Sequence, residues 1–376
     1  MKKIAALLLG ITIAAGAFAA SMIVGDYGGS MSVSPSGAAM YTIPIECPKG
    51  VNGIEPTIAL VYNSQSGIGL AGKGWNLSAT SVITKVNAVP FYDNKLLPLN
   101  HDKSADYLAL DGQRLIKIST ISSTEAEFRT ECDNFNRIIR KGSGGSFYFE
   151  VYTTSGLKMT YRQQPEGASY YDGNLGWYLT RVEDQNGNYM TYEYRVIYGN
   201  GNVSSVLPSV IRYGANSQQG TSHTQKVEFT YESFLSYPFE YYSAGFPKTA
   251  YQIVSEIRTY AGTSTLNSKY QLTYKTDSKS NRLLTKVKKY GNNGDYLKDL
   301  VIEWNEPTDK LVEDICPATC VDGSCLLSGN PLDAIADRQW FLCDYNQDGY
   351  PDLVSYCVSV ASNGLVSYYN PTRWLN

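Results

Sequence analysis

GAAMYTIPIECPKGVNGIEPTIALVYNSQSGIGLAGKGWNLSATSVITK, residues Gly37–Lys85, is the stretch on which the reading of the fold turns. Tyr41-Thr42-Ile43 and Ile58-Ala59-Leu60-Val61-Tyr62 are β-branched, apolar and aromatic. Such residues pack well on a half-buried pleated surface. Pro44, Pro48, Gly50, Gly53 and Pro56 punctuate the interval, where neither a helix nor a long strand continues. Gly67, Gly69, Gly72 and Gly74 then permit a tight loop, and Trp75 follows as a large packing anchor.

The glycine loop imitates a nucleotide site. Gly67-Ile68-Gly69-Leu70-Ala71-Gly72 fits G-x-G-x-x-G, and Gly67 to Lys73 fits the start of a phosphate loop. Gly74 then stands where the magnesium-binding Ser or Thr belongs. Both motifs also need a helix next, whose N-terminus holds phosphate. The residues from Trp75 to Thr84 read instead as strand, so the sequence predicts a glycine hairpin that presents Trp75 to a core.

Further along, short strands and turns alternate. Asp111-Gly112 and Asn186-Gly187 are favoured two-residue hairpin turns, each between strand-like runs. Arg137–Arg140 and Ser146–Tyr152 flank a glycine-rich loop as another hairpin. From Leu175 to Pro307 the pattern is nearly repetitive: Trp177–Val182, Tyr189–Tyr194, Leu207–Tyr213, Lys226–Tyr231, Ile253–Arg258, Lys269–Tyr274, Leu283–Lys288 and Leu300–Trp304. Most alternate apolar with polar, as strands solvated on one face do. No window outside the amino terminus carries a helical apolar stripe. The fold class expected is all-β, built on a multi-stranded antiparallel sheet.

The ordered pattern Tyr41-x-Ile43-Pro44-Ile45-x-x-Pro48-x-Gly50-x-x-Gly53-x-x-Pro56, then Leu60-x-Tyr62-Asn63-Ser64, then Gly67-x-Gly69-x-x-Gly72-x-Gly74-Trp75-x-Leu77, resembles the opening of the SpvB-type toxin N-terminal family. That family includes the B subunits of insecticidal toxin complexes and is tied to Rhs/YD-repeat shell proteins. Trp177-x-Leu179-x-x-Val182-x-Asp184-x-Asn186-Gly187-Asn188-x-x-x-Tyr192-x-Tyr194 resembles the same family and echoes a YD-repeat hairpin. The resemblance spans Gly37 to Pro307, with the middle, Asn87–Gly173, carried by its flanks. It implies that the sheet forms part of a hollow β-shell around a toxic carboxyl-terminal segment, and that the partners are other subunits or downstream regions of a toxin complex.

The amino terminus has the form of a secretory signal. Met1-Lys2-Lys3 precedes an apolar run from Ile4 to Phe18, and Ala17-Phe18-Ala19 fits a small-x-small cleavage site, placing cleavage after Ala19. The run is shorter than the roughly 20 residues that span a bilayer. Secretion, to the exterior or cell surface with the periplasm as the alternative, is therefore expected. It makes disulfides chemically available to the cysteines crowded at Cys316, Cys320, Cys325, Cys343 and Cys357. Their spacing is not that of a zinc finger and no His lies near, so disulfides are favoured over zinc. Cys47 and Cys132 stand apart. A net charge of −3 gives no pointer to nucleic acid or anionic lipid.

Asp344-Tyr345-Asn346-Gln347-Asp348-Gly349-Tyr350-Pro351-Asp352 is the strongest chemical signal. Calcium takes several oxygen ligands at roughly 2.3–2.6 Å. Asp344, Asn346, Asp348 and Asp352 offer side-chain oxygens, Tyr350 its carbonyl, and Gly349 the bend. The pattern is not an EF-hand, since position twelve is Ser355 and a strand-like run follows. Phe341–Val354 resembles an FG-GAP/VCBS repeat, which implies an incomplete propeller-type blade and calcium as the bound ion. A lone blade does not bury its faces, so the chain is expected to be truncated or the first part of a longer protein.

The layout expected is a signal peptide at 1–19, a lead-in at 20–36, the β-rich domain at 37–307, a Cys/Pro-rich connector at 308–338 and the partial repeat at 339–376. No catalytic constellation accompanies it: His101 and His223 lack a nucleophile or metal-ligand pattern beside them, and neither G-x-S-x-G nor H-E-x-x-H occurs. The function expected is non-enzymatic, a shell or scaffold part of a secreted toxin-like protein. The alternative is a secreted carbohydrate- or surface-binding β protein, its Tyr and Trp residues stacking on sugars.

Overall fold

Period-two alternation builds nearly every element. Glu125–Thr130 is typical: Ala126, Phe128 and Thr130 are buried and the residues between them are half-buried. The computed structural model describes residues 22–94, 107–142, 147–164, 176–199, 202–234, 239–243, 246–250, 252–277, 280–305, 312–314, 338–343, 352–360 and 366–375. The chain divides into two compact units, Met1–Glu303 and Trp304–Asn376.

In the first unit, β1 (Met22–Ile23) leads to a small sheet and a hairpin. The strands are β2 (Ser30–Val33), β3 (Ala39–Ile45), β4 (Ile58–Asn63), β5 (Ile68–Gly69), β6 (Gly72–Lys73) and β7 (Trp75–Ser78). The small sheet runs β2-β3-β4-β7, and β5 pairs with β6. Next come β8 (Val82–Lys85), a four-residue helical turn α1 (Pro90–Asp93), β9 (Leu108–Leu110), β10 (Gln113–Thr120), β11 (Glu125–Thr130), β12 (Arg137–Lys141), β13 (Tyr148–Tyr152), β14 (Lys158–Gln163) and β15 (Gly176–Glu183). Each of β8 to β15 pairs antiparallel with the next, and β15 pairs back onto β8, which closes an eight-stranded barrel. Closure leaves no free edge. The barrel is filled by side chains. Trp177, Phe128, Phe149 and Tyr161 are buried, Phe149 meets Trp177 edge-on at 5.3 Å, and Trp177 Nε1 donates to the Phe147 carbonyl at 3.0 Å.

From β15 the chain opens into a long antiparallel sheet: β16 (Asn188–Gly199), β17 (Asn202–Asn216), β18 (Gln225–Ser233), the inserted hairpin β19 (Phe239–Ser243) and β20 (Phe246–Ala250), then β21 (Gln252–Ala261), β22 (Thr265–Thr276), β23 (Arg282–Gly291), β24 (Tyr296–Leu297) and β25 (Leu300–Val301). β18 pairs directly with β21, so the hairpin stands outside the main ladder. β1 returns parallel to β24.

Between β14 and β23 the register slips by one residue at a tyrosine six times. Two slips, at Ile197/Tyr198 and Thr259/Tyr260, skip Ser204 and Asn267. The other four fall at Thr160/Tyr161, Glu193/Tyr194, Thr230/Tyr231 and Thr273/Tyr274, and the residue skipped on the facing strand is Thr180, Ser209, Ser255 and Thr285 respectively. Three of the skipped hydroxyls donate across the bulge: Thr180 to the Thr160 carbonyl at 3.0 Å, Ser255 to Thr230 at 3.2 Å and Thr285 to Thr273 at 3.0 Å. Three of the tyrosine hydroxyls donate to the strand on the other side: Tyr194 to Leu179 at 2.6 Å, Tyr231 to Pro208 at 2.7 Å and Tyr274 to Val254 at 2.6 Å. Burial pushes all three phenols above the usual tyrosine range, so they remain donors. A bulge bends the strand and interrupts the ladder. Here side-chain hydroxyls take up carbonyls where that happens. Pro208 sits inside a long strand, at such a bulge, where proline is tolerated.

The second unit, taken by itself, is a four-stranded antiparallel sheet ordered β26 (Val312–Asp314), β29 (Val366–Leu375), β28 (Asp352–Val360) and β27 (Arg338–Cys343). Cys343 pairs with Asp352 at the end of β27 and β28.

The all-β, antiparallel expectation is borne out, and the Asp111-Gly112 turn joins β9 to β10 with both residues at positive φ. Two local readings change. Asn186-Gly187 is not a two-residue turn: Asp184 and Asn188 close a longer loop, in which only Gly187 has positive φ. Asp184 Oδ1 accepts the Asn186 and Asn188 N–H groups at 2.9 and 2.8 Å, which fixes the wider loop. In the run Leu300–Trp304 the strand covers Leu300 and Val301, and the Ile302 N–H still donates to the Thr285 carbonyl at 2.8 Å. The signal segment, with Ala17 and Ala19, and Cys316, Cys320 and Cys325 lie outside the described residues.

Tyr274→Phe is expected to lower the unfolding free energy by about 1–2 kcal/mol, since it leaves the Val254 carbonyl without its donor. Urea denaturation of the purified chain reads this directly, and an unchanged midpoint would remove the tyrosine from the sheet's support.

Candidate functional site

The opening segment forms a strap across one face of the open sheet. Its anchor is a cross-strand aromatic row, Tyr41 opposite Tyr62 and Tyr62 opposite Trp75. Trp75 is buried, 5.4 Å from the Tyr62 ring and edge-on to Tyr41 at 6.3 Å. The glycines let backbones approach. A Cβ on Gly74, whose φ is +71°, would stand 2.5 Å from the Tyr62 ring. One on Gly72, at φ +101°, would stand 2.6 Å from the Arg282 carbonyl of β23. One on Gly69 would strike the Trp75 carbonyl. Gly67 accepts the Gly74 N–H at 2.9 Å with open space at its own Cα. The Leu70 carbonyl accepts the Val254 N–H of β21 at 2.9 Å. The run is a packing hairpin followed by strand β7, as its sequence context predicts.

The Pro/Gly interval supplies backbone groups that the sheet meets with side chains. Tyr213 donates to the Pro48 carbonyl at 2.8 Å, and the Glu46 N–H donates to the Tyr270 hydroxyl at 3.0 Å. Gln225 donates to the Lys49 carbonyl at 2.9 Å, and Asn52 donates to Asp184 at 2.8 Å. Lys289 holds the Glu46 carboxylate at 2.6 Å. Gly50 donates to Glu55 at 2.7 Å and has no room for a Cβ beside the Ile54 carbonyl. Gly53 turns at φ +76°, Pro56 is buried, and Pro44 is exposed in β3 opposite Ala59. The motif residues thus converge on one feature. Their partners on the sheet, Tyr213, Tyr270, Gln225, Asp184 and Lys289, escape a sequence reading. Alternation places the two tyrosines on the buried face, but nothing local says which backbone group they meet.

Burial alone would raise the Asp184 carboxyl, but donors from Asn188 and Asn52 and the loop amides hold it below the usual carboxylate range. Burial, with Glu55 nearby, pushes the Cys47 thiol up to about 12, so it is protonated near neutrality and a poor nucleophile. Among the described residues Cys47 and Cys132 form no disulfide. Among the described residues no group of three His, Cys, Asp or Glu is placed to hold a metal, and no helix is long and apolar enough to cross a membrane.

The proposed calcium ligands are not brought into view. Asp344, Asn346, Asp348 and Tyr350 lie outside the described residues, and Asp352 is placed only by its backbone, as the first residue of β28. His101 also lies outside them.

A family model described as SpvB, Salmonella virulence plasmid 65kDa B protein, matches residues 33–233, more than half of the chain. The chain belongs to the SpvB family. Among curated proteins none matches the sequence. Solved structures share the fold. The N-terminal domain of effector protein SpvB from Salmonella typhimurium strain LT2 aligns at 15% identity and TM-score 0.52, over 69% of this chain and 99% of that one. The crystal structure of TcdB2-TccC3 aligns at 17% identity and TM-score 0.61, over 98% of this chain and 21% of that one. The Photorhabdus luminescens Tc holotoxin pore aligns at 15% identity and TM-score 0.60, over 94% and 20%. The SpvB-family chain therefore spans about a fifth of the length of the two toxin chains.

Gly72→Ala is expected to destabilise this SpvB-family unit by about 1–3 kcal/mol, because the added methyl meets backbone at a positive φ. Gly67→Ala, with open space and no positive φ, is expected to change stability by less than about 0.5 kcal/mol. Paired thermal melts check the contrast; equal effects would mean that the loop does not press on β23.

Proposed function

We propose that this chain is a structural, non-catalytic part of a secreted toxin-related protein, and that its open sheet is a wall segment that joins further strands to enclose or dock another polypeptide. The observation that carries the reading is the build of the open sheet. It starts on a filled barrel, is sealed along one face by the strap, and ends in the short strands β24 and β25. A sheet of this kind has a rigid root and a ladder that further strands can extend. Likeness of fold to TcdB2-TccC3 over nearly the whole chain supports the same reading, and so does membership of the SpvB family. The partners implied are other subunits or further regions of a toxin complex, with secretion through the amino-terminal signal. Trp75 and Trp177 are buried in cores, so neither is free to stack on a sugar.

The test is co-expression of the whole chain with the coding sequence that follows it and with its neighbouring genes. A stable assembly is expected to co-purify in which a defined polypeptide resists protease until the assembly is opened. A chain that stays monomeric beside every product of its locus, with none protected, would overturn the wall reading.

Calcium is part of the proposal. Asp344, Asn346, Asp348 and Asp352, with the Tyr350 carbonyl, are the ligand set, in a connection between two antiparallel strands of a propeller-type blade. Calorimetric titration of the whole chain with calcium is expected to give a saturable heat that Asp348→Ala reduces at least tenfold in affinity. Titration of the unaltered chain without heat would dismiss the site.

A further inference from the structure

The face of the open sheet opposite the strap carries a line of cations. Arg181 stands opposite Thr191, Thr191 opposite Arg212, and Arg212 opposite Lys226, on β15 to β18. Like charges directly opposite are destabilising. Each cation has one carboxylate, but from a flanking row: Arg181 meets Glu183 through Nε at 3.3 Å and Nη2 at 3.0 Å, which leaves its Nη1 for a ligand, Arg212 meets Glu193 at 2.6 Å and Lys226 meets Glu228 at 2.6 Å. Arg212 uses only Nε for this, which leaves both terminal nitrogens unpartnered among the described residues.

His223, from the connection between β17 and β18, lies over the middle of this line. Its Nε2 is 3.2 Å from the Thr191 hydroxyl, and its ring is edge-on to Tyr189 at 5.0 Å. Arg181 stacks on the same Tyr189 ring at 3.6 Å. The centre of the line is therefore bordered by two guanidinium groups, a hydroxyl and an imidazole. Arg181 and Arg212 flank Thr191 on alternate strands, about 10 Å apart along the sheet, a span that two arginine side chains can close around one anion. We propose that Arg181, Thr191, Arg212 and His223 form a binding site for a tetrahedral oxyanion, sulfate or phosphate, either free or as a monoester. Guanidinium donors suit such oxygens, and a hydroxyl and an imidazole N–H complete the cradle.

The electrostatics agree. Burial first, then Arg212 and Arg181, hold the imidazole below its usual range, and Glu193 opposes them only in part. The groups facing His223 are Arg181 on β15, Tyr189, Thr191 and Glu193 on β16, and Arg212 on β17, with Lys226 next in line on β18. The field at the ring is thus positive. A bound oxyanion offsets it, so the anion raises the pH at which His223 protonates, and by linkage lower pH tightens the anion.

The test is a histidine NMR titration of the whole chain. There are two histidines, so His101→Gln leaves the His223 signal alone. Replacing chloride with sulfate at matched ionic strength is expected to move the His223 midpoint up by about 0.5 in pH. Arg212→Gln is expected to abolish most of that movement. Methyl sulfate in a parallel arm separates the sources: a larger movement than with inorganic sulfate assigns the site to a monoester, an equal or smaller one to the free ion. The chloride–sulfate comparison needs no change at the site, so a misfolded Arg212 variant does not shield the proposal. Identical midpoints in chloride and sulfate, or a movement that survives in folded Arg212→Gln, would overturn it.

Discussion

One edge of β15 serves two partners, and the architecture depends on how that edge is divided. Gly176 to Tyr178 pair with β8 and close the barrel; Arg181 to Glu183 pair with β16 and begin the open sheet. Between them the backbone belongs to neither ladder. The Leu179 N–H is taken by the Ser81 carbonyl at 3.0 Å, and the Leu179 carbonyl takes the Tyr194 hydroxyl at 2.6 Å. Left bare, each buried group would cost about 1–3 kcal/mol, enough to favour a sheet that either closes or opens but does not do both. The bulge at Thr180 adds the local bend that lets one strand leave the barrel at its end. Barrel closure and the root of the open sheet are therefore one event.

The open sheet then has two unlike faces. On one, Tyr213, Tyr270 and Gln225 reach up to the Pro/Gly interval of the strap, which lies between β3 and β4 outside any strand and would otherwise present bare backbone to an apolar surface. The register shift from those residues to Arg212, Lys269 and Lys226 is one position, which puts the charges on the other face. The ion pairs there are part-exposed, and such pairs contribute about 0–1 kcal/mol each. They fix side chains and keep the face wet more than they hold the sheet together. The strap face supplies cohesion, and the charged face is the one open to a ligand.

Much of this was legible locally. Alternation marked the strands from Trp177 to Lys288, and the missing helix after Gly74 disposed of the phosphate loop. Partners were not legible. Trp177 pairs with Ile83 and Tyr213 reaches Pro48 across a long sequence separation, and alternation tells a strand its faces but not its neighbour. One further signal lies in the sequence. Leu179-Thr180-Arg181-Val182, Pro208-Ser209-Val210-Ile211, Val254-Ser255-Glu256-Ile257 and Leu284-Thr285-Lys286-Val287 share an apolar residue, Ser or Thr, any residue, and an apolar residue. Two apolar residues three apart violate strand period, and the bulged Ser or Thr is what returns them to one face. The proposed calcium loop is the opposite case: its Asp/Asn spacing is plain in sequence, but Asp344 to Tyr350 fall outside the described residues.

The abundance of tyrosine follows from these demands. Tyr194, Tyr231 and Tyr274 bury a ring and reach past it to a carbonyl at a bulge. Tyr213 does the same for the Pro48 carbonyl of the strap, the Tyr270 hydroxyl accepts the Glu46 N–H, and Tyr27 bridges the Val287 carbonyl and the Lys289 N–H. Tyr189, Tyr260, Tyr290 and Tyr296 lie under Arg181, Lys226, Lys269 and Lys288 on the charged face. Phenylalanine would give the burial without the donor, and serine the donor without the reach. A side chain that is apolar along its length and polar at its tip resolves both needs at once. In this sheet tyrosine is therefore a construction residue. These rings are committed to neighbours inside the fold, which fixes the two faces of the sheet.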